Sequence, residues 1–436
     1  MGENTQIETM KKIVASVGLI AVGASSVHTA AGAALSGEAP KPWSVSATLR
    51  GFYDDNVNTS PYGSPKQQVW GYQVSPGINL NWSGQQTTFT LGYLYTFLYY
   101  DTTPAGQTQK YDQNQQFNAV LNHAFSERYS ISVADSFVLG QEPDLLRSGA
   151  ALDSFQRVPG DNIRNDGQIK FDAQITPVFG AEIGYENAFF KYADDTVIIF
   201  PFQASSAGLL NRIENYIHLD GRWTIQPETI GVLGYKYARK DYTADQVIGF
   251  DTSNIYMSDS RNYYSHYGYI GADHIFRPDF SGSIRVGASY SDYYNEPGQP
   301  SQVNPYLQAS LQYTYLPECS FSIGVSVDQN STDMFSAENG SITTSAQSQT
   351  VYGTITHKLA SKIYGSATAQ FQNSRFIGGS LNDENEQYFL AGLNLEYRFN
   401  PHLSANIGYN FDSLNSEVPN RSFDRNRAYV GVTASY

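Results

Sequence analysis

The sequence is poor in cysteine, in charge and in long apolar runs, and each shortage excludes a class of protein. Its single cysteine, Cys319, excludes an internal disulfide framework and argues against a cysteine-based metal site. Charged residues make up 16% of the chain, whereas soluble domains carry about 25%. After residue 27 no run approaches the roughly 18 apolar residues that a membrane-spanning helix needs.

The charge that is present has one dominant sign. The formal net charge is −14 at pH 7, so the chain lacks the basic surface that nucleic-acid binding requires. Aromatic residues, in contrast, reach 14%, with 33 Tyr and 24 Phe. Many tyrosines with few charges suit a surface that faces lipid on one side and water on the other.

The amino-terminal segment has the pattern of a secretory signal peptide. Two lysines precede the apolar run 13–27, and a small-residue A-x-A cleavage site follows. We predict that residues 1–33 are removed, with Met10 as an alternative start, and that residues 34–43 form a short periplasmic lead-in. A buried first helix is the alternative interpretation of this run.

The last segment of the chain alternates between apolar and small or polar residues. Apolar side chains occupy every second position from Ala428 to the aromatic Tyr436. Such alternation is typical of a transmembrane β-barrel strand. We therefore predict that this segment is the closing strand and that it pairs with residues 44–53.

The same alternation recurs along the chain in segments of about 10–13 residues, which matches tilted membrane strands. Eighteen segments are predicted: 44–53, 70–82, 88–100, 113–125, 129–139, 164–175, 179–192, 213–224, 229–242, 263–276, 280–293, 303–315, 320–329, 349–358, 362–374, 386–399, 403–412 and 426–436. The predicted fold is all-β, a single antiparallel up-and-down transmembrane β-barrel over residues 44–436. A count of 16 strands stays open.

Short proline turns separate several of these segments. Proline cannot donate a hydrogen bond inside a sheet, so it marks strand ends. The turns are Thr176-Pro177-Val178, Gln226-Pro227-Glu228, Arg277-Pro278-Asp279, Leu316-Pro317-Glu318 and Asn400-Pro401-His402. A soluble sandwich is the alternative, but its strands would be shorter and its apolar face richer in Val, Ile and Leu.

A barrel of 16 to 18 strands is wide enough for an aqueous channel, and its polar face then lines the interior. The charged candidates on that face are Lys170, Asp172, Glu182, Glu186, His218, Asp220, Arg222, Lys236, Arg285, Glu396 and Arg398. Because both signs occur, these groups can pair across neighbouring strands. Any water-filled interior needs polar residues, so they do not identify a solute.

The longest predicted loop, 140–163, is a candidate constriction. Its charged residues are Glu142, Asp144, Arg147, Asp153, Arg157 and Asp161. Acidic groups facing arginines would suit a loop that folds into the interior. An ordinary surface loop is the alternative.

Asp135 breaks the apolar phase of its segment. It is in phase with Val133 and Phe137, so strict alternation points its carboxylate at lipid. We expect a β-bulge that turns it inward, and a contact between protomers is the alternative.

Motifs for catalysis or metal binding are not found in the sequence. It contains no G-x-S-x-G or H-E-x-x-H pattern, and its seven histidines show no ligand spacing. The acidic clusters near Asp54 and Asp194 do not match a calcium loop. We predict neither an enzyme nor a bound cofactor or metal.

Residues 46–57, which enter the first predicted strand and its loop, resemble the opening of bacterial putative β-barrel porin 2 proteins. The proline turns and the aromatic terminus are similar to those of the same group. The resemblance implies a Gram-negative outer-membrane barrel with porin activity, and it implies that Tyr436 is recognised by the barrel assembly machinery. Members can accompany exopolysaccharide genes.

The sequence thus predicts a passive outer-membrane channel for small polar solutes. The alternative is a barrel associated with polysaccharide export, or a structural surface barrel with a closed interior. Planar-bilayer conductance separates the two.

Overall fold

The computed structural model describes residues 41–141, 151–157, 160–199, 202–296 and 298–436. The predicted signal peptide lies outside these residues. Eighteen long strands form one antiparallel sheet and are labelled β1–β18 in chain order. They span Trp43–Asp54, Val69–Ser83, Thr87–Tyr100, Tyr111–Ala124, Tyr129–Gly140, Asn162–Gln174, Phe179–Tyr192, Arg212–Gln226, Thr229–Tyr242, Tyr263–Arg277, Phe280–Asp292, Gln302–Leu316, Cys319–Asn330, Ser345–Ala360, Ile363–Ile377, Asn385–Asn400, Leu403–Ser416 and Phe423–Ser435.

The sheet closes on itself. Each strand pairs with the next, and β18 pairs with β1, with Ser435 opposite Ser46 and Arg427 opposite Asp54. The hydroxyls of Thr48 and Thr433 are hydrogen-bonded at 2.9 Å across this seam. A closed ring has no free sheet edge. The predicted 18-strand barrel and its closing pair are both confirmed.

The two faces of the barrel differ in chemistry because side chains alternate along every strand. Large apolar residues on one face are exposed, for example Trp70 at 64% and Val430 at 61%. Residues on the other face are polar and buried, for example Ser291 and Thr350, both at 0%. The apolar face therefore points outward and the polar face points into the ring.

The two ends of the barrel also differ. Connections at one end have two to four residues, and the five predicted proline turns all lie there. Connections at the other end are longer. They contain a short helix, α1 (Ser206–Leu210), and three short antiparallel strand pairs, such as Val247–Phe250 with Ile255–Met257. Within the described ranges, no helix has the length and apolar character to cross a membrane.

The expected bulge at Asp135 is wrong. The β5 register continues without a shift, and Asp135 lies opposite Ala119 on one side and Gly167 on the other. Directly paired residues share a face, and Ala119 lies on the face of the exposed apolar residues. The carboxylate is therefore on the outward face, where its Oδ1 accepts a hydrogen bond from Asn165 at 3.0 Å. Gly167 leaves room for it in place of a bulge.

Candidate channel interior

A chain of ion pairs runs along the inward face between β7 and β11. Glu182 contacts His218 at 3.0 Å and Arg222 at 2.8 Å. Arg222 also contacts Asp273 at 3.3 Å, and Asp273 contacts Arg285 at 2.8 Å. The structure thus brings four predicted interior residues together around one that was not predicted, Asp273.

A second interior group surrounds Lys236 on β9. Its ammonium lies 3.9 Å from the ring centre of Tyr267 and 4.9 Å from that of Tyr306. A carboxylate oxygen of Asp328 lies 3.7 Å from the same ammonium. Ring faces and a carboxylate both favour a cation, so Lys236 is compensated within the wall.

Other predicted interior residues also have partners in the wall. Arg398 contacts Glu396 at 3.0 Å, and its guanidinium lies 3.6 Å from the ring centre of Tyr364. Asp220 accepts a hydrogen bond from the Tyr269 hydroxyl at 2.6 Å. These groups lie on separate arcs of the ring, on β16 and β8.

The remaining predicted residues lie on β6 and β7. Asp172 is opposite Glu182, Lys170 is opposite Gly184, and Glu186 is the next inward position on β7. Here the register places acidic groups of two strands beside each other.

Asp273, Asp328 and several inward tyrosines escaped prediction. Tyr267 and Tyr306 are 2% and 4% exposed and lie on the polar face. Tyrosine is amphipathic, so it fits a lipid interface as well as a wet interior. The alternation could have identified Tyr267 as inward-facing, because it lies on the same face of its strand as Ser265 and Asp273.

The described part of the third long loop, residues 151–157, crosses the barrel. At one anchor Asp153 forms an ion pair with Arg212 of β8. Beside it the backbone N–H of Asp333 donates to the Asp153 carbonyl at 3.1 Å, and Ser154 donates to the Asp333 carboxylate at 2.9 Å. Asp333 is also paired with Arg421 at 2.9 Å.

A second anchor lies on β15 and β16. The backbone of Leu152 exchanges two hydrogen bonds with the Gln372 amide, at 2.7 and 2.9 Å. Phe155 stacks on Tyr388 with ring centres 4.8 Å apart. Both rings belong to a buried apolar cluster.

The third anchor lies near β3 and β4. Arg157 contacts Asp112 at 2.6 Å and donates to the Tyr100 hydroxyl at 3.2 Å. Its backbone N–H donates to the Thr59 hydroxyl at 3.0 Å. Seven residues reach at most about 24 Å, so contacts on three separate arcs require the segment to run across the interior.

These contacts locate two of the six predicted loop residues at anchors, Asp153 and Arg157. Asp161 is exposed just before β6 and belongs to none of the three anchors. Glu142, Asp144 and Arg147 lie outside the described residues.

Other long connections pack together at the same end. Arg261 is fully buried and donates to the carbonyls of Leu209 at 3.1 Å, Thr332 at 2.9 Å and Thr344 at 3.4 Å. These carbonyls belong to the connections after β7 and β13, whereas Arg261 follows β9. One side chain therefore ties three connections into a cap.

A carboxylate strengthens the same cap. The backbone N–H groups of Ser253 and Asn254 donate to Asp251, each at 2.7 Å, and the Ser253 bond contributes most to lowering the pKa of this carboxyl to about 2. The backbone N–H of Gly340 also donates to it at 3.0 Å. Asp251 thus remains ionised and links two connections.

No group of three His, Cys, Asp or Glu side chains is placed to hold a metal ion in the described part of the chain. Cys319 is buried and free. The two acidic clusters have protein partners instead, since Asp54 pairs with Arg425 and Asp194 accepts from the Ser206 hydroxyl at 2.9 Å.

A closed ring of eighteen strands with an apolar outside and an ion-paired inside defines the class, an outer-membrane β-barrel of the porin type. The model of the family described as "Putative beta-barrel porin 2" matches residues 339–436, which hold the last five strands. This match confirms the predicted resemblance, and it lies at the other end of the chain from the motif at 46–57. The match to this family model and the closed barrel fold point to a channel in the outer membrane.

The chain is similar to several solved structures. The outer membrane protein opdK from Pseudomonas aeruginosa is 11% identical, with 90% of this chain and 99% of that chain covered and a TM-score of 0.42. OccAB4 of Acinetobacter baumannii is 14% identical, with 90% and 98% covered and a TM-score of 0.42. A BenF-like porin from Pseudomonas fluorescens Pf-5 is 12% identical, with 91% and 99% covered and a TM-score of 0.43. None of the curated proteins compared matches this chain.

Proposed function

We propose that this protein is a passive outer-membrane channel for small polar solutes. The observation that carries the proposal is the closed 18-strand ring with a polar, ion-paired inward face. The solvent exposure of side chains on the inward face increases toward the end of the barrel that carries the short turns. On β14, for example, Thr350 is buried, Thr354 is half-buried and Thr356 is exposed. Termini and short turns of such barrels face the periplasm, so the wet vestibule opens there.

Conductance in a planar lipid bilayer tests this function. The refolded full chain should give stable open steps in KCl, because water and ions fill a polar interior. The charged residues predicted from the sequence, from Lys170 to Arg398, are the proposed lining. A protein that folds and inserts but never conducts contradicts the channel.

A second candidate is a barrel with a closed interior, acting as a surface structure or in exopolysaccharide export. The packing of residues 151–157 and of the Arg261 cap across the long-loop end favours it. Persistent silence in the bilayer, together with a folded barrel, supports this candidate over the first.

Export and assembly complete the proposal. We infer that a cleaved signal peptide directs the chain out of a Gram-negative cytoplasm and that the barrel assembly machinery inserts it into outer-membrane lipid. A bound cofactor and catalytic activity are not part of this function.

Replacing Tyr436 with Ser should impair assembly. The Tyr436 ring lies 5.6 Å from the ring of Trp43 and 5.8 Å from that of His402, and its backbone exchanges two hydrogen bonds with Val45. Serine keeps the backbone bonds but loses both ring contacts and the aromatic signal. Less folded protein in outer-membrane fractions is expected, and Tyr436→Phe is the control that should assemble normally. Normal insertion of the Ser variant would contradict the role.

Replacing Asp135 with Leu should stabilise the barrel in lipid vesicles. A charge on the lipid face is unfavourable, and for an acid the cost is below the roughly 2–4 kcal/mol of a midplane Arg or Lys. We expect a higher urea midpoint of unfolding, with Asp135→Asn recovering part of the gain. A lower midpoint would instead favour a contact between protomers at this position.

A further inference from the structure

Arg50 differs from its neighbours on the inward face of the β1–β18 seam. Arg425 is paired with Asp54, and Arg427 is paired with the Asp412 carboxylate, whose two oxygens it contacts at 2.8 Å. Both carboxylates of this wall are therefore engaged. In the part of the chain that the structure describes, the Arg50 side chain contacts no carboxylate and forms no hydrogen bond.

Two glycines leave room for the side chains of Arg50 and Tyr429 to pack against the wall. Gly431 lies opposite Arg50 on β18, and a Cβ there would be only 2.4 Å from the Arg50 Cγ. Gly408 similarly lies beneath the ring of Tyr429, where a Cβ would meet that ring at 2.2 Å. The Arg50 guanidinium lies 4.7 Å from the Tyr429 ring centre. The Arg50 and Tyr429 side chains consequently lie flat against the β1–β18 wall, and we call this surface the Arg50 floor.

Polar acceptors and donors surround this floor. The Tyr429 hydroxyl donates to the Asn394 amide oxygen at 3.2 Å. Asn406 is the next inward residue in the row of Arg50, beyond Gly431, and its Oδ1 is buried without a partner. On the other side of Arg50 lies Gln73 of β2. Gln73, Asn394 and Asn406 are all half-buried residues.

The electrostatic balance of this floor favours an anion. The Arg50 Nε is buried without an acceptor, whereas its terminal nitrogens remain open to the interior. A half-buried guanidinium without a counter-charge is unfavourable, and a carboxylate matches its planar donors with two parallel hydrogen bonds. Amide side chains beside it suit the hydroxyls of a polyol.

We propose that Arg50, Tyr429 and Asn406 form a binding site for the carboxylate of a small hydroxylated solute, such as an acidic sugar. The proposal deepens the channel function and rests on it for its biological role. The binding itself is measured without conduction, so the two ideas fail separately.

Calorimetric titration of the folded full-length barrel in detergent with glucuronate tests the site. Wild-type protein should bind glucuronate and should not bind glucose under the same conditions. Arg50→Gln should raise the glucuronate dissociation constant about tenfold, equal to about 1.4 kcal/mol. Arg50→Lys, which keeps the charge but loses the planar fork, should lie between the two.

Lys358→Gln is the matched control. Lys358 is also a cation near a tyrosine ring, 5.5 Å from the centre of Tyr364, but it is paired with Glu318. The Lys358→Gln variant should bind glucuronate with the same affinity as the wild type. Equal affinity of wild type and Arg50→Gln would overturn the site, and so would equal binding of glucose and glucuronate. A barrel that binds glucuronate but never conducts would support the binding site and contradict the channel function.

Discussion

Single-channel conductance should rise severalfold when residues 151–157 are replaced by a glycine-serine segment of equal length. The native segment is anchored at Arg212, at Gln372 with Tyr388, and at Asp112. Glycine and serine remove the ion pairs and the stacked ring, so the segment no longer crosses the interior in one fixed position. Planar-bilayer recording of the variant beside the wild type measures the change.

The exposed tip of the first long connection, residues 61–65, supplies the control. The same replacement there leaves the crossing segment untouched and should leave conductance unchanged. Should the 151–157 variant conduct like the wild type, this segment does not limit the pore.

The second large effect is expected for Arg212→Met. Arg212 is 1% exposed, contacts Glu214 at 2.5 Å as well as Asp153, and donates to the Leu210 carbonyl at 3.0 Å. Methionine fills much of the space but leaves two carboxylates with less compensation. Removing one partner of a buried ion pair costs about 3–5 kcal/mol. Urea unfolding in vesicles, followed by tryptophan fluorescence, measures the loss.

A double variant and an exposed arginine sharpen this experiment. Adding Asp153→Asn to Arg212→Met should recover part of the loss, because it removes one uncompensated charge. Arg239→Met breaks an exposed pair with Asp241 and should cost at most about 1 kcal/mol. If both arginine variants lose the same stability, burial of the Arg212 pair is not the cause.

The strands were predictable because alternation is a local property. Each strand spans at least ten residues of a period-two pattern, and proline marks several of its ends. The pairing of the last strand with the first also followed from the pattern, because in a closed barrel the first strand is the remaining partner of the last. Asp135 shows the limit of this reasoning, since the pattern was right and the bulge added to rescue it was wrong.

The interior was less predictable because its contacts join distant segments. Alternation placed Arg222 and Arg285 inward, but it did not identify Asp273 as their shared partner. The anchors of residues 151–157 depend on side chains that are distant in the sequence, such as Gln372, which lies 220 residues from Leu152. Arg50 differs from Arg425 and Arg427 only because the nearby carboxylates are already paired with those two arginines. A local sequence pattern does not contain this information.

The seam between β1 and β18 joins two segments that are far apart in the sequence. The hydroxyls of Thr48 and Thr433 are hydrogen-bonded across a separation of 385 residues, so β1 cannot complete its pairing until the last strand is present. Contacts of such long sequence separation form slowly. Until then β1 exposes an unpaired backbone edge that can aggregate. A chain that ends before β18 therefore has no strand with which β1 can close the ring.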